Sequence, residues 1–272
     1  SAGDYDVSIS GDFPRIYIVN GVDKDKIIDI KQWGNIVWSN FKSAFFGCSN
    51  LVGSFTDAPN LTNVTNFESA FRDCSSFSAN LSTWDVSNVT TISLSFNNCS
   101  SFSANLSSWD VSNVTNFNAA FTIFGTTAPS TPVSGLGSWD MSSVTNIGSM
   151  LRTQINYNED LSSWNVSNVT VMSNTFFGAT SFDQNLSSWD IANVTNFTNF
   201  AKNTTFSTSN YDAILIGWEA TLQAAFPNGS GYTPTISINF GNSEYNGGAS
   251  AEAARTSLIN NFNWTITDGG IA

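Results

Sequence analysis

The ten residues LSTWDVSNVT at 81–90 return as LSSWDVSNVT at 106–115, LSSWNVSNVT at 161–170 and LSSWDIANVT at 186–195. A unit this short cannot fold around its own Leu, Trp and Val, but it can bury them against a copy of itself. Aligned on the valine before Thr, the column reads Val64, Val89, Val114, Val144, Val169 and Val194, spaced by 25, 25, 30, 25 and 25 residues. The long interval carries an insertion around TTAPSTPVSG, 126–135, whose Pro, Gly, Ser and Thr mark a surface loop. A divergent earlier copy is visible where WSNFKSAFFGCSNL from Trp38 lines up with VTNFESAFRDCSSF from Val64.

Two periodicities alternate inside each unit. Three residues after the valine stand Phe67, Ile92, Phe117, Ile147, Met172 and Phe197, and seven after it Phe71, Phe96, Phe121, Leu151, Phe176 and Ala201. That spacing predicts a short helix or helical turn, with Thr65 and Glu68 placed as its capping box. The other half, LSxWDVS, alternates in and out as a strand does, with Trp84 and Val86 inward and Thr83, Asp85 and Ser87 outward. The expected fold is therefore an α/β repeat solenoid of about seven coils over residues 33–209, a parallel sheet roughly 35 Å long at about 4.8 Å per coil. Capping segments are expected at both ends. Before the repeats, 1–32 reads as an N-terminal β segment with DVSIS, RIYIV and KIIDI as strands. After them, 210–272 reads as a compact α/β cap: a helix in YDAILIGWEATLQAAF, a strand in TISINF, a helix capped by Ser250 and a strand in WTIT.

Charge excludes some partners. The chain has 9 basic and 21 acidic side chains, net −12, and from Ser43 onward the balance is 4 to 15. Such a surface repels phosphate backbones and anionic headgroups, so nucleic acid and membrane surfaces are not expected partners. No apolar run approaches a membrane-spanning length, and Ser1 opens no signal peptide. Only 11% of residues are charged, and Ser, Thr and Asn supply the polar surface. That composition reads as a soluble, extracellular or cell-surface segment, cut from a longer secreted chain.

The series GCSNL, DCSSF and WDVSNVTN resembles the BspA-like leucine-rich-repeat surface proteins of bacteria. The ending YDAILIGW…NSEYNGGASAEAARTSLI…WTITDGG resembles the C-terminal cap found with such repeats. The likeness runs from about Arg15 to Gly269, and SAGDYDVSISGDFP resembles the last strand of an Ig-like, polycystic-kidney-disease-type domain. The resemblance implies a leucine-rich-repeat-like module, secreted or surface-anchored, that serves adhesion to a protein or glycan without catalytic residues. The departures are the inserted coil and Asn165 where Asp is usual.

The residues themselves also argue against catalysis. There is no histidine, which removes the commonest general base and metal ligand. Cys48, Cys74 and Cys99 share one column, later filled by Phe124, Gln154, Ala179 and Thr204, and so read as core fillers with free thiols. The sharpest candidate site is the outward face of the LSxWDVS rows: Thr83 and Asp85, Ser108 and Asp110, Ser138 and Asp140, Asn165, and Asp190. Its Asp column could hold calcium at Asp85, Asp110 and Asp140 or receive a basic ligand. The same residues also suit Asx turns, in which the side chain accepts the N–H two residues on. Asn63, Asn88, Asn113, Asn168 and Asn193 read as a ladder bonding turn backbone between coils. A different class of role stands beside adhesion: a rigid stalk, or a layer or filament subunit that self-associates.

Overall fold

The computed structural model describes residues 3–19, 21–124 and 131–272; the first half of the expected insertion, 126–130, lies outside the described residues. Successive 25-residue units lie one on another and bond in both directions at the Thr–Asn–Phe segment after each valine. The N–H of Thr90 reaches the carbonyl of Thr65 at 2.9 Å, and its Oγ1 reaches the same oxygen at 3.1 Å. The pattern repeats from Thr115, Thr145, Thr170 and Thr195 to the threonine before each. In the other direction the Phe67 N–H donates to the Thr91 carbonyl at 3.0 Å. These bonds make parallel bridges, Asn66 with Thr91, Thr91 with Asn116, and onward to Val171 with Asn196. The hydroxyls of Thr90, Thr115, Thr145, Thr170 and Thr195 are thus spent on neighbouring carbonyls, and at the expected capping box the Glu68 N–H goes to Asn66 Oδ1 while the Glu68 carboxylate accepts from Lys42.

The side expected to be helical is built of turns. The N–H groups of Phe67, Ser69, Phe71 and Asp73 all leave their own unit for the carbonyls of Thr91, Ser93, Ser95 and Asn97, at 2.8–3.0 Å. Between them, Ala70 and Cys74 donate back three residues to Phe67 and Phe71, both at 3.1 Å. Ser69 and Asp73, the third residues of these two turns, have φ of 58° and 59°, the signature of a type II turn. A helix would satisfy those N–H groups internally and leave the coils unjoined; the paired turns hand every second donor to the neighbour. Two four-residue turns also bring Phe67 and Phe71 to the same face, which is why their spacing reads as a helix. The left-handed column includes Leu94 at 60° and Ala119 at 53°, neither of which has a side chain that favours it.

Burial along LSxWDVS alternates as expected, with Trp84, Val86 and Val89 buried and Thr83 and Asp85 exposed. It is nevertheless two tight turns instead of a strand, closed by Trp84 N–H to Leu81 O at 3.1 Å and Val89 N–H to Val86 O at 2.8 Å. Its tryptophans bind the stack from inside. The indole N–H of Trp109 donates to Leu81 O, Trp139 to Leu106, Trp164 to Leu136 and Trp189 to Leu161, at 2.8–2.9 Å. Trp84, first in the column, has no such carbonyl, and its Nε1 is buried without an acceptor. Beside it the phenylalanines stack through the coils, Phe45 on Phe71, Phe71 on Phe96 and Phe96 on Phe121, with centroids 5.4–5.7 Å apart.

The C-terminal segment continues this geometry with other elements. Helix α1, Thr208–Ala225, carries Trp218, whose Nε1 takes the Leu186 carbonyl at 2.9 Å as the next coil's tryptophan would. Strand β1, Ile236–Asn239, accepts the Ala201 N–H at Asn239 O, 2.9 Å, and pairs in parallel with β3, Trp264–Thr267. Short β2, Glu244–Tyr245, pairs in parallel with β4, Gly270–Ile271. Helix α2, Ser250–Phe262, packs on α1. Ser250 is its first helical residue and not its cap; Ala249 holds that place, and the Glu252 carboxylate accepts the Gly248 N–H. At the N-terminus the expected strands DVSIS, RIYIV and KIIDI are absent among the described residues. The chain touches the first coils at scattered points, such as Val52 N–H to Ile28 O at 2.9 Å and Ser39 N–H to Pro14 O at 2.8 Å, without a continuous ladder.

Trp109→Ala should lower unfolding free energy by about 3–5 kcal/mol, since it removes a buried indole and one of the two donors to the Leu81 carbonyl. A loss below about 1 kcal/mol in denaturant melts would contradict the column's role. Leu94→Asn should raise stability by up to about 1 kcal/mol, because Asn tolerates the left-handed conformation that strains Leu. A lower melting midpoint would place the Leu94 side-chain contacts above the strain.

Candidate functional site

The outward acidic residues sit in turns. Asp85 Oδ1 accepts the Ser87 N–H at 3.0 Å and its hydroxyl at 2.6 Å, and Asp110 holds Ser112 in the same way at 3.0 and 2.7 Å. Asp140 accepts the Ser142 N–H at 2.9 Å and Asp190 that of Ala192 at 3.1 Å. Asn165 accepts from Ser167 at 3.2 and 2.8 Å, so the turn forms without a charge. The Ser87 and Ser142 hydroxyls, then their N–H groups, hold the Asp85 and Asp140 carboxyls below the usual carboxylate range. The hydroxyls of Ser108 and Ser138 are taken by the carbonyls of Ser82, at 2.5 Å, and Gly135, at 2.9 Å, while Thr83 is exposed. The asparagine ladder joins the rows: Asn88 Nδ2 to Thr62 O, Asn113 to Ser87, Asn168 to Ser142 and Asn193 to Ser167, at 2.7–3.2 Å. Among the described residues, no three His, Cys, Asp or Glu side chains converge as metal ligands.

A second polar column was missed in the sequence. It stands one place before the leucine: Asn80, Asn105, Asp160 and Asn185, each accepting the N–H two residues on at 2.9–3.0 Å. Where it meets the start of α1 there is a cleft of about 290 Å³ lined by Asp160, Ser162, Gln184, Asn185, Ser187 and Asn210. The amide of Gln184 is committed to Asn158 Oδ1 at 2.8 Å, and that of Asn210 to Asp183 Oδ1 at 2.9 Å. Ser162 holds the Asp160 carboxyl below its ordinary range, first through its N–H. With the Gln184 and Asn210 amides engaged, the cleft presents the Asp160 carboxylate together with the Asn185 amide and serine hydroxyls, a mixed polar lining that suits hydroxyl groups on a ligand. Its signal was the polar residue before each LSxW, in AN, AN, ED and QN.

A family model described as "Mycoplasma protein of unknown function, DUF285" matches the chain twice, over residues 39–128 and 122–218. The chain belongs to this DUF285 family. Its two matches overlap at residues 122–128 and together cover 39–218, where one repeated motif is expected to match more than once. No curated protein and no solved structure matches the chain.

The three thiols of this DUF285 chain are free and buried. Cys74 Sγ donates to Phe45 O at 3.0 Å and Cys99 Sγ to Phe71 O at 2.8 Å, and in the same column Thr204 Oγ1 reaches Phe176 O at 2.6 Å. The column is therefore a donor to the preceding coil. Burial raises Cys48 to about 11 and lifts Cys74 and Cys99 well above the thiol range. In native protein at pH 8 a thiol reagent should label all three only as fast as the stack opens, and at once in denaturant. Prompt native labelling, or a mass short by two hydrogens, would refute this arrangement.

Proposed function

We propose that this chain is a leucine-rich-repeat-like solenoid of the BspA-like kind, working as a non-catalytic binding module of a secreted or surface-anchored bacterial protein. The observation that carries the reading is the contrast between inside and outside. Indole and phenyl rings fill the interior, while the outward rows repeat Asp or Asn turns beside a polar cleft. A rigid surface that repeats every coil suits an extended partner, and its acidic, acceptor-rich chemistry suits a basic peptide or the hydroxyls of a glycan. The absence of histidine from the sequence fits a role in binding rather than catalysis.

A second reading has one observation in its favour. Tyr5, Val7 and Val22 near the N-terminus are 76%, 82% and 94% exposed, large apolar surface side chains that would suit a stalk or filament subunit packing on a neighbour. The isolated chain, screened against glycans, basic peptides and cells, should show saturable binding that weakens with salt. Asp110→Asn with Asp140→Asn keeps both turns and removes two charges, so it should weaken binding to a basic peptide several-fold. Affinity that ignores this pair and added salt would move the site off the acidic rows. Concentration-dependent self-association with no ligand would favour the filament.

A further inference from the structure

The repeats contain few cations, and these fall in one column. Beyond Ser43 the basic residues are Arg72, Arg152, Lys202 and Arg255, and the first three each stand eight places after the valine of their unit. Phe46 and Phe177 occupy the same column, so aromatic and basic residues are interleaved along the stack. Backbone bonds set them side by side, with Thr153 N–H to Phe177 O at 2.7 Å and Gly178 N–H to Lys202 O at 2.9 Å. The Arg72 guanidinium lies 4.9 Å from the Phe46 ring centre. That of Arg152 lies 4.7 Å from Phe177 and 5.8 Å from Phe124.

The two arginines differ in what neutralises them. Arg72 has Asp73 at 3.5 Å, as Lys42 has Glu68 and Arg255 has Asp268. Among the described residues Arg152 has no carboxylate in ion-pair range, nor does exposed Lys202 two coils on. The Nε atoms of both arginines are buried without a hydrogen-bond acceptor, but only that of Arg72 has a carboxylate within ion-pair range. In a chain of net −12, a half-buried guanidinium left without an anion between two rings is the exception. Phe124 beside it is 54% exposed, a large ring left in water.

We propose that Phe124, Arg152 and Phe177 form a site for a carboxylate-bearing pyranose, a uronic or sialic acid residue of a glycan. The flat C–H face of the sugar covers the Phe124 ring. The Arg152 guanidinium, aligned by Phe177, takes the carboxylate through its planar donors, and Lys202 adds positive field. The surrounding negative charge selects for a single anionic group, because a run of acids on a peptide would meet the same repulsion at every further position. This site is distinct from the acidic rows and stands or falls separately from them.

The test titrates the whole chain with oligosaccharides ending in glucuronic acid and in N-acetylneuraminic acid, their neutral counterparts ending in glucose and galactose, and an acidic peptide. Calorimetry or saturation-transfer NMR reads the binding. An acid-ended sugar should bind saturably and at least about tenfold better than its neutral counterpart, and the acid that binds identifies the source. Arg152→Gln should weaken it by about tenfold or more, and Phe124→Ala, at an exposed ring that bears little on folding, should do likewise. Arg72→Gln should leave it unchanged. No saturable binding of either acid-ended sugar, equal binding of the neutral ones, affinity preserved in both Arg152→Gln and Phe124→Ala, or tighter binding of the acidic peptide would overturn the proposal.

Discussion

A peptide N–H buried between two coils must find an acceptor, and the turns at 67–74 settle where it goes. Every second donor crosses to the carbonyl 24 residues on, while the donors between them close turns of their own unit. The left-handed residues at Ser69 and Asp73 are what make that division geometrically available. Once it is in place the rest follows: the period of the repeat becomes a bonding requirement, the aromatic columns fall into contact, and the polar side chains between them must each end a turn. A single added residue inside a coil would throw every later donor onto the wrong carbonyl. In the 30-residue interval the bonds between units resume at Asn105 with Ser134 and Asn116 with Asn146. Glu159 then pins the return, both of its oxygens accepting from Gly135 and Leu136 N–H at 2.9 Å.

How much of this was legible depends on what a spacing can distinguish. The columns of Trp84, Phe67 and Phe71 and their inward facing could be read, because burial leaves its mark in residue type. The conformation behind them could not, since a four-residue turn repeated once and a helical turn place side chains at nearly the same intervals. Leu94 and Ala119 in left-handed backbone are further from prediction still, as neither residue signals it. The turn role of the Asp column was legible through Asn165, which keeps an acceptor and lacks a charge. The cleft column before each leucine was equally periodic, yet its members vary between Asn and Asp and were overlooked. At the N-terminus, the alternation in DVSIS reads as a strand, but among the described residues no strand pairs with it.

Charge is distributed by column in the same way as shape. The outward turns collect carboxylates, while the residue eight places after the valine collects Arg72, Arg152 and Lys202. A repeat makes such segregation easy, because whatever one unit places at a position its neighbours place about 4.8 Å away. Opposite chemistries can then face different directions on a body only one coil wide.

The indole bonds give the stack a direction. Each tryptophan donates to the leucine of the preceding unit and to no other, Trp84 has nothing to donate to, and Trp218 of α1 takes the last carbonyl. The column therefore behaves like a head-to-tail chain of dipoles whose two ends are chemically unlike. A whole coil can be duplicated or lost with one donor and one acceptor entering or leaving together, so the length of the molecule is free to drift over evolutionary time. The terminal pieces have no such freedom: each is matched to one sense of the chain, and neither could serve at the opposite end.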